Sequence, residues 1–163
     1  MPPETPLGPR VRVLRLLYRV AFRLAQLRAV LLPGRGRGVK CLLTHDDEVL
    51  LVRHTYGPRV WQLPGGAAHR GEAPALTAAR EMREELGLRD VDWRPVVTLD
   101  IRLQHMPVSL TCLHAALADP TVSPDPVEIA QARWFAMDAL PERLGSEVEQ
   151  MLDLLHTRPH SGL

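Results

Sequence analysis

Aromatic residues are scarce in this chain: two phenylalanines, two tyrosines and three tryptophans, 4% of 163 residues. So sparse a set does not suggest a stacking surface for single-stranded nucleic acid, and no specific nucleic-acid partner is expected. Cysteine is scarcer still. Cys41 and Cys112 lie in strand-like runs and read as reduced core residues, not as a disulfide or a metal pair. No apolar run escapes charge for long enough to make a membrane span, which needs about 20 residues, or a signal-peptide core. The expected compartment is therefore the cytoplasm. No internal repeat is present, and His69, His105 and His114 lack zinc-like spacing. The remainder, 45% apolar and 24% charged, is ordinary for a globular protein, and the length suits one domain with a sizeable core.

The net charge of +1 hides an asymmetry. Residues 1–40 carry nine Lys/Arg against one acid, Glu4, for +8; residues 41–163 carry eleven against eighteen, for −7. After a proline-rich start, residues 10–32 read as one basic amphipathic helix, with arginines at 12, 15, 19 and 23 and Leu16, Leu17, Val20, Leu24, Leu27 and Leu31 between them. Three readings stay open. The helix packs on the domain or on a second subunit, giving a homodimer. It lies on an anionic membrane surface as a peripheral contact. Or it forms a positive rim that attracts anionic substrates. Residues 33–38, PGRGRG, then break the helix as a linker. The expected organisation is residues 1–36 as helix and linker, 37–158 as the main domain and 159–163 as a tail.

The densest chemistry lies in Gly66–Leu88, GAAHRGEAPALTAAREMREELGL. Ala73 to Leu86 is a strong helical segment, with Pro74 suited to the first turn and Gly87 placed to stop it. At helical spacing Ala75, Ala79, Met82 and Leu86 form an apolar stripe. Glu81, Glu84 and Glu85 fall on a different face, as positions three and four apart do. Three carboxylates so crowded repel one another unless a cation joins them, and oxygen-only ligands suit Mg²⁺ or Mn²⁺. Arg80 adjoins this face and can grip a glutamate through a forked hydrogen-bond pair. Gly65, Gly66 and Gly71 make the preceding segment a loop able to approach a ligand closely. Glu72, at the helix start, suits a structural role beside the helix dipole as well as a chemical one.

The same stretch resembles the box of the Nudix hydrolase family, Gly-x5-Glu-x7-Arg-Glu-apolar-x-Glu-Glu-x-Gly-apolar, at every fixed position. Seven specified residues, each at roughly 6% background usage, would coincide in a chain this long less than about once in a million times. His69 stands where the family often has glutamate, a departure bearing on metal number or substrate contacts. The resemblance implies an α/β Nudix fold, a mixed β-sheet sandwiched between helices, here with an extra N-terminal basic helix. Val39–Thr44 and Glu48–Arg53 read as a strand pair turning at His45–Asp47. Two further strands are expected over about 94–104 and 108–118, joined near Met106-Pro107. A short strand follows at Ala132–Ala136. A closing helix, about 142–157, is started by Pro141 and lined by Leu144, Val148, Met151, Leu152 and Leu155.

The resemblance also implies an activity: a metal-dependent pyrophosphohydrolase cleaving a nucleoside diphosphate joined to another group, a small molecule, by attack of water on phosphorus. Glu81, Glu84 and Glu85 would hold Mg²⁺ or Mn²⁺, Gly65 or Gly66 would lend a carbonyl to the metal, and Arg80 would orient the glutamates. Glu128, six residues before Trp134, occupies a loop that in the family often supplies an extra ligand or the base that activates water; it reads equally as a solvated loop glutamate. Asp125 is a weaker candidate in that loop. The base is thus Glu81 or Glu128. Arg53, Arg59 and Arg102 are weak candidates for phosphate contacts, and Tyr56 or Trp61 for stacking on a base. The substrate is left open. No proline stands 15 or 16 residues past the box, as the ADP-ribose branch tends to have; Pro107 comes 19 past Leu88. A nucleotide-binding sensor or scaffold without hydrolysis is the alternative, and a metal-dependent isomerase on the same fold lacks a clear extra catalytic residue.

Overall fold

The computed structural model describes residues 8–18, 20, 36–103 and 106–157. Its elements are α1 (residues 9–18), β1 (Gly36–His45), β2 (Glu48–His54), α2 (Pro74–Leu86), β3 (Arg94–Leu103), β4 (Met106–Ala116), β5 (Ile129–Ala136) and α3 (Ser146–Thr157). The strands form one mixed sheet in the order β3-β4-β1-β2-β5. Only β1 and β4 run parallel; the other pairs are antiparallel.

Side chains alternate across a strand, and here both faces are covered. Val39, Cys41 and Leu43 of β1 pack with Ala78, Met82 and Leu86 of α2 on one face. Leu42, Val49, Leu51, Leu110 and Cys112 pack with Val148, Met151 and Leu152 of α3 on the other. The sheet is therefore held between two helices, as expected. The two cysteines lie in the clusters on opposite faces, which explains why both are free thiols.

The β1–β2 hairpin is paired only at its tip, Thr44 with Val49 and His45 with Glu48, and Asp46 takes a left-handed φ of 48° in the turn. Beyond the tip the segment 61–68 fills the gap. Val52 and Gln62 exchange both backbone hydrogen bonds, the Cys41 N–H donates to Pro64 O, and the Val39 N–H donates to Gly66 O. The Pro64–Gly66 turn is thus fixed in the middle of the sheet rather than in a free loop. Gly65 has φ +139°, and a β-carbon there would run into the Val39 carbonyl, so this register requires glycine.

Four expectations need correction. Gly36–Gly38 belong to β1 and are not linker: Gly36 pairs with Val108, and a β-carbon on Gly38 would lie 2.9 Å from Gly66 O. The glycines that resemble a flexible linker serve close backbone approach. Met106 and Pro107 lie within β4, opposite Leu103 and Arg102, not in the connection. The last helix begins at Ser146, not near Pro141, because the Trp61 N–H donates to Arg143 O and the Gly145 N–H to Trp61 O, which holds residues 143–145 extended. The buried face of α2 is centred on Ala78 and Glu85, whereas Ala75 and Ala79 are exposed.

Of the N-terminal helix expected over 10–32, residues 19 and 21–32 lie outside the described residues. In the described part Val13, Leu16, Leu17 and Val20 are about half exposed, at 57%, 61%, 56% and 49%. Their apolar face is not buried against the domain. Among the described residues no helix is long and apolar enough to cross a membrane.

Candidate active site

Helix α2 starts as its sequence dictates, with Pro74 in the first turn, and ends on Gly87 at φ 70°, whose N–H closes onto Arg83 O. It lies along the Gly65–Gly66 turn. The Gly65 N–H donates to Glu85 Oε2 at 3.2 Å, and a β-carbon on Gly66 would lie 2.5 Å from the Glu81 carboxyl. The glycine turn and the first and last glutamates of the trio are therefore brought together.

The three carboxylates do not share one exposed face. Glu85 is 2% exposed, Glu81 is half-buried and Glu84 points outward. Burial pushes the Glu85 carboxyl up to about 8, helped by the nearby charge of Glu81 and opposed by the Gly65 N–H and Lys40. Burial also raises Glu81, though its bond to Arg80 pulls the other way. Glu128 adds to both shifts, so its charge reaches this cluster.

Arg80 organises the outer side. Its Nε and Nη2 donate to Glu72 Oε1 and Oε2 at 3.1 and 3.0 Å, the forked pair. Nη2 also reaches Ala67 O at 2.9 Å, while Nη1 meets Glu81 Oε1 at 2.6 Å and Glu84 Oε2 at 3.3 Å. Glu72 is thereby a structural brace. It also accepts from the Thr77 hydroxyl and the His69 N–H, and the Arg80 bonds above all hold its carboxyl down to about 2.

The loop carrying Glu128 is tied to the same region by backbone. The Asp125 N–H donates to Glu85 O and the Thr55 N–H to Glu128 O, both at 2.8 Å, and Thr55 Oγ1 donates to Val127 O at 2.6 Å. Asp125 itself closes the loop by accepting from the Val127 N–H. Its carboxylate serves the turn rather than the cluster.

The substrate candidates are more scattered. Tyr56 stands beside the cluster, 5.1 Å from the His54 ring, and burial raises its phenol. Arg53 lies over the Trp61 ring at 4.4 Å and reaches Gln131, so it is engaged in packing. Trp61 is buried against Phe135 and is core. Arg59 is exposed in the loop after β2. Arg102 is exposed on the edge strand β3, with β4 and β1 between it and β2. His69 is exposed beside Glu72, and His105 lies outside the described residues.

Three neighbours went unnoticed in the sequence. Lys40 is held by Leu63 O, Gln62 and Glu147. His54 sits with Nδ1 3.9 Å from Glu85 Oε1, buried and without a hydrogen-bond partner, and burial lowers it to about 4. Burial thus works against the charged form of both groups of that pair. Tyr18 donates to Glu128 Oε1 at 2.7 Å. Its signal was present, since it shares a helix face with Arg15 in a chain of only two tyrosines.

No three His, Cys, Asp or Glu side chains converge on one point among the described residues as arranged; Arg80 Nη1 lies between Glu81 and Glu84. The donor chemistry nevertheless fits a hard divalent cation. Every donor is oxygen, and although burial does most to raise Glu81 and Glu85, neighbouring glutamates add to both shifts, so acidic groups are concentrated here.

Known proteins resemble the chain in sequence and in fold. It is 40% identical to an ADP-ribose pyrophosphatase of Mycobacterium tuberculosis over 95 residues, covering 49% of this chain and 44% of that one. It is 38% identical to the NAD-capped RNA hydrolase NudC of Stutzerimonas stutzeri over 111 residues, covering 67% of this chain and 39% of that one. The chain thus spans less than half the length of these two relatives. In fold it is similar to a MutT NUDIX hydrolase from Burkholderia pseudomallei, with a TM-score of 0.69 at 22% identity, covering 75% of this chain and 98% of the other. The Glu-rich helix braced by Arg80 beside a glycine turn lies inside the stretch, residues 34–155, that matches the family model for the NUDIX domain, and the chain belongs to that family.

Proposed function

We propose that the protein is a metal-dependent pyrophosphohydrolase of nucleoside diphosphate derivatives. One observation carries the reading: the carboxylates of Glu81 and Glu85 meet at the Gly65–Gly66 turn, with the charge of Glu128 close enough to act on both. Glu81, Glu84, Glu85 and Glu128, with a carbonyl of Gly65 or Gly66, would hold Mg²⁺ or Mn²⁺. Such an ion, when bound, offsets phosphate charge and lowers the pKa of a bound water. Arg80 keeps Glu81 and Glu84 oriented while its other edge is locked on Glu72. Glu128 or Glu81 takes the proton from the attacking water. The new P–O bond forms as the bridging P–O bond breaks, and the electron pair leaves on the departing phosphate oxygen. Arg59, exposed in the loop after β2, is a weak candidate for a phosphate contact, while the Tyr56 ring is packed against Tyr18 and His54.

The relatives favour an adenosine diphosphate derivative. ADP-ribose and the NAD cap named for them share an ADP-ribosyl pyrophosphate. A panel of ADP-ribose, NAD, a dinucleoside polyphosphate and nucleoside triphosphates, assayed with Mg²⁺ and with Mn²⁺ for released products, tests the reading. EDTA should abolish turnover and either ion should restore it. Undiminished turnover in EDTA would refute the mechanism, and tight binding with no turnover would favour the sensor reading. The exposed Val13, Leu16, Leu17 and Val20, flanked by arginines, also support contact of residues 10–32 with an anionic membrane. Salt-sensitive binding to anionic vesicles tests that, and a dimer on gel filtration would favour a second copy instead.

A further inference from the structure

We propose that Tyr18 of α1 is a positioning residue for Glu128, so that the N-terminal helix is part of the hydrolytic site. The inference rests on the reading of Glu128 as a group that acts at the substrate.

Helix α1 has two unlike faces. Val13, Leu16, Leu17 and Val20 point outward, while Arg15 and Tyr18, three residues apart and so neighbours on the helix, turn toward the loop before β5. Arg15 Nε donates to Pro126 O at 2.8 Å, and Tyr18 Oη donates to Glu128 Oε1 at 2.7 Å. Two adjacent helix positions thus meet two positions of one loop across more than a hundred residues of chain. The Tyr18 ring stacks with Tyr56 at 6.2 Å and 29°. Tyr56 in turn meets His54, whose Nδ1 faces Glu85. The phenol is therefore held from the ring side as well as by its hydroxyl.

The loop does not hold the Glu128 carboxylate by itself. Thr55 bonds Glu128 O and Val127 O, which fixes the main chain and leaves the side chain its rotamers. A half-exposed glutamate loses appreciable conformational freedom when fixed, and a hydrogen bond to an ionised oxygen is among the stronger ones available for fixing it. Tyr18 supplies that bond to Oε1, and among the described residues no other side chain bonds the carboxylate, which leaves Oε2 for the proton of the attacking water or for a cation. A purely structural role, stapling α1 to the domain, is already served by Arg15 and by the ring stack, and neither needs the hydroxyl.

Tyr18→Phe removes the hydroxyl and keeps the ring. It is tested in the full-length protein beside Glu128→Gln and the double variant, using the panel nucleotide turned over fastest. Tyr18→Phe should lower kcat about 10-fold, the scale of losing a hydrogen bond to a charged group. KM should stay within about twofold, and kcat should be lowered at temperatures well below any change in melting, whereas a staple alone would change melting and spare kcat. In the Glu128→Gln background, Tyr18→Phe should cost nothing further, because the two act as one unit. The tyrosine ultraviolet spectrum at neutral pH gives a readout without turnover. A phenol donating to a carboxylate absorbs at longer wavelength, so Glu128→Gln should shift the spectrum back. No spectral shift, a wild-type or raised kcat in Tyr18→Phe, or losses that multiply in the double variant would each overturn the inference. A shifted spectrum with wild-type kcat in Glu128→Gln would instead remove the catalytic reading of Glu128, and the role of Tyr18 with it.

Discussion

Replacing Glu85 by glutamine should make the metal-free protein more stable at alkaline pH while removing its activity. Glu85 is 2% exposed, and its carboxyl is pushed up to about 8 by burial and by the charge of Glu81. In the unfolded chain it ionises near the ordinary value of 4.5. Between those two values the unfolded state gives up a proton that the folded state keeps, so stability falls as pH rises and levels off above about 8. The whole span costs on the order of 5 kcal/mol. His54 works in the opposite sense lower down. Burial holds it at about 4 against an ordinary 6.5, so its contribution to stability grows as pH rises between those values. The two slopes oppose each other up to about 6.5, and Glu85 dominates above. From pH 6.5 to 8 the expected loss is about 2 kcal/mol, or roughly 5 °C in melting temperature for a domain of this size. Glutamine keeps an acceptor for the Gly65 N–H and carries no charge, so Glu85→Gln should flatten this part of the profile. The measurement is thermal unfolding of both proteins in EDTA across pH 5.5–8.5, with Mg²⁺ added in a second series. Added Mg²⁺ should raise the wild-type melting temperature more at pH 8 than at 6.5, since an ionised carboxylate binds it. A wild-type profile in EDTA that falls no faster than the variant's above pH 6.5 would refute the reasoning.

Two further outcomes follow from the geometry. Gly65→Ala places a β-carbon against the Val39 carbonyl at a φ of +139°, so it should cost about 3 kcal/mol or more, read as a lower urea midpoint. Glu72→Gln breaks the charged fork on Arg80 and so loosens its hold on Glu81 and Glu84. It should lower kcat by roughly 10- to 100-fold, the scale of a hydrogen bond between charged groups, with a smaller change in KM; an unchanged kcat would show that Arg80 needs no brace.

Local pattern was enough to read α2, its proline start and glycine stop, the carboxylate trio and most strands, because each rests on spacing within about a dozen residues. Period and punctuation do not say which way a helix leans, so the buried face of α2 came out centred on Ala78 and Glu85, and a glutamate read as part of one acidic face with Glu81 and Glu84 proved to be in the interior. Gly36 and Gly38 looked like linker for a related reason: a glycine that lets a chain bend and one that lets two chains touch are the same letter. The start of α3 depended on Trp61, some eighty residues away, whose backbone claims Arg143 and Gly145. The sequence by itself determined the family, since the box is a contiguous set of charges at helical intervals. Only the tertiary structure decided which groups ionise with difficulty, that Arg80 is braced by Glu72, and that Tyr18 reaches Glu128. Those properties depend on burial and on contacts between distant segments, and both arise only when the sheet, the glycine turn and the helices close on one another.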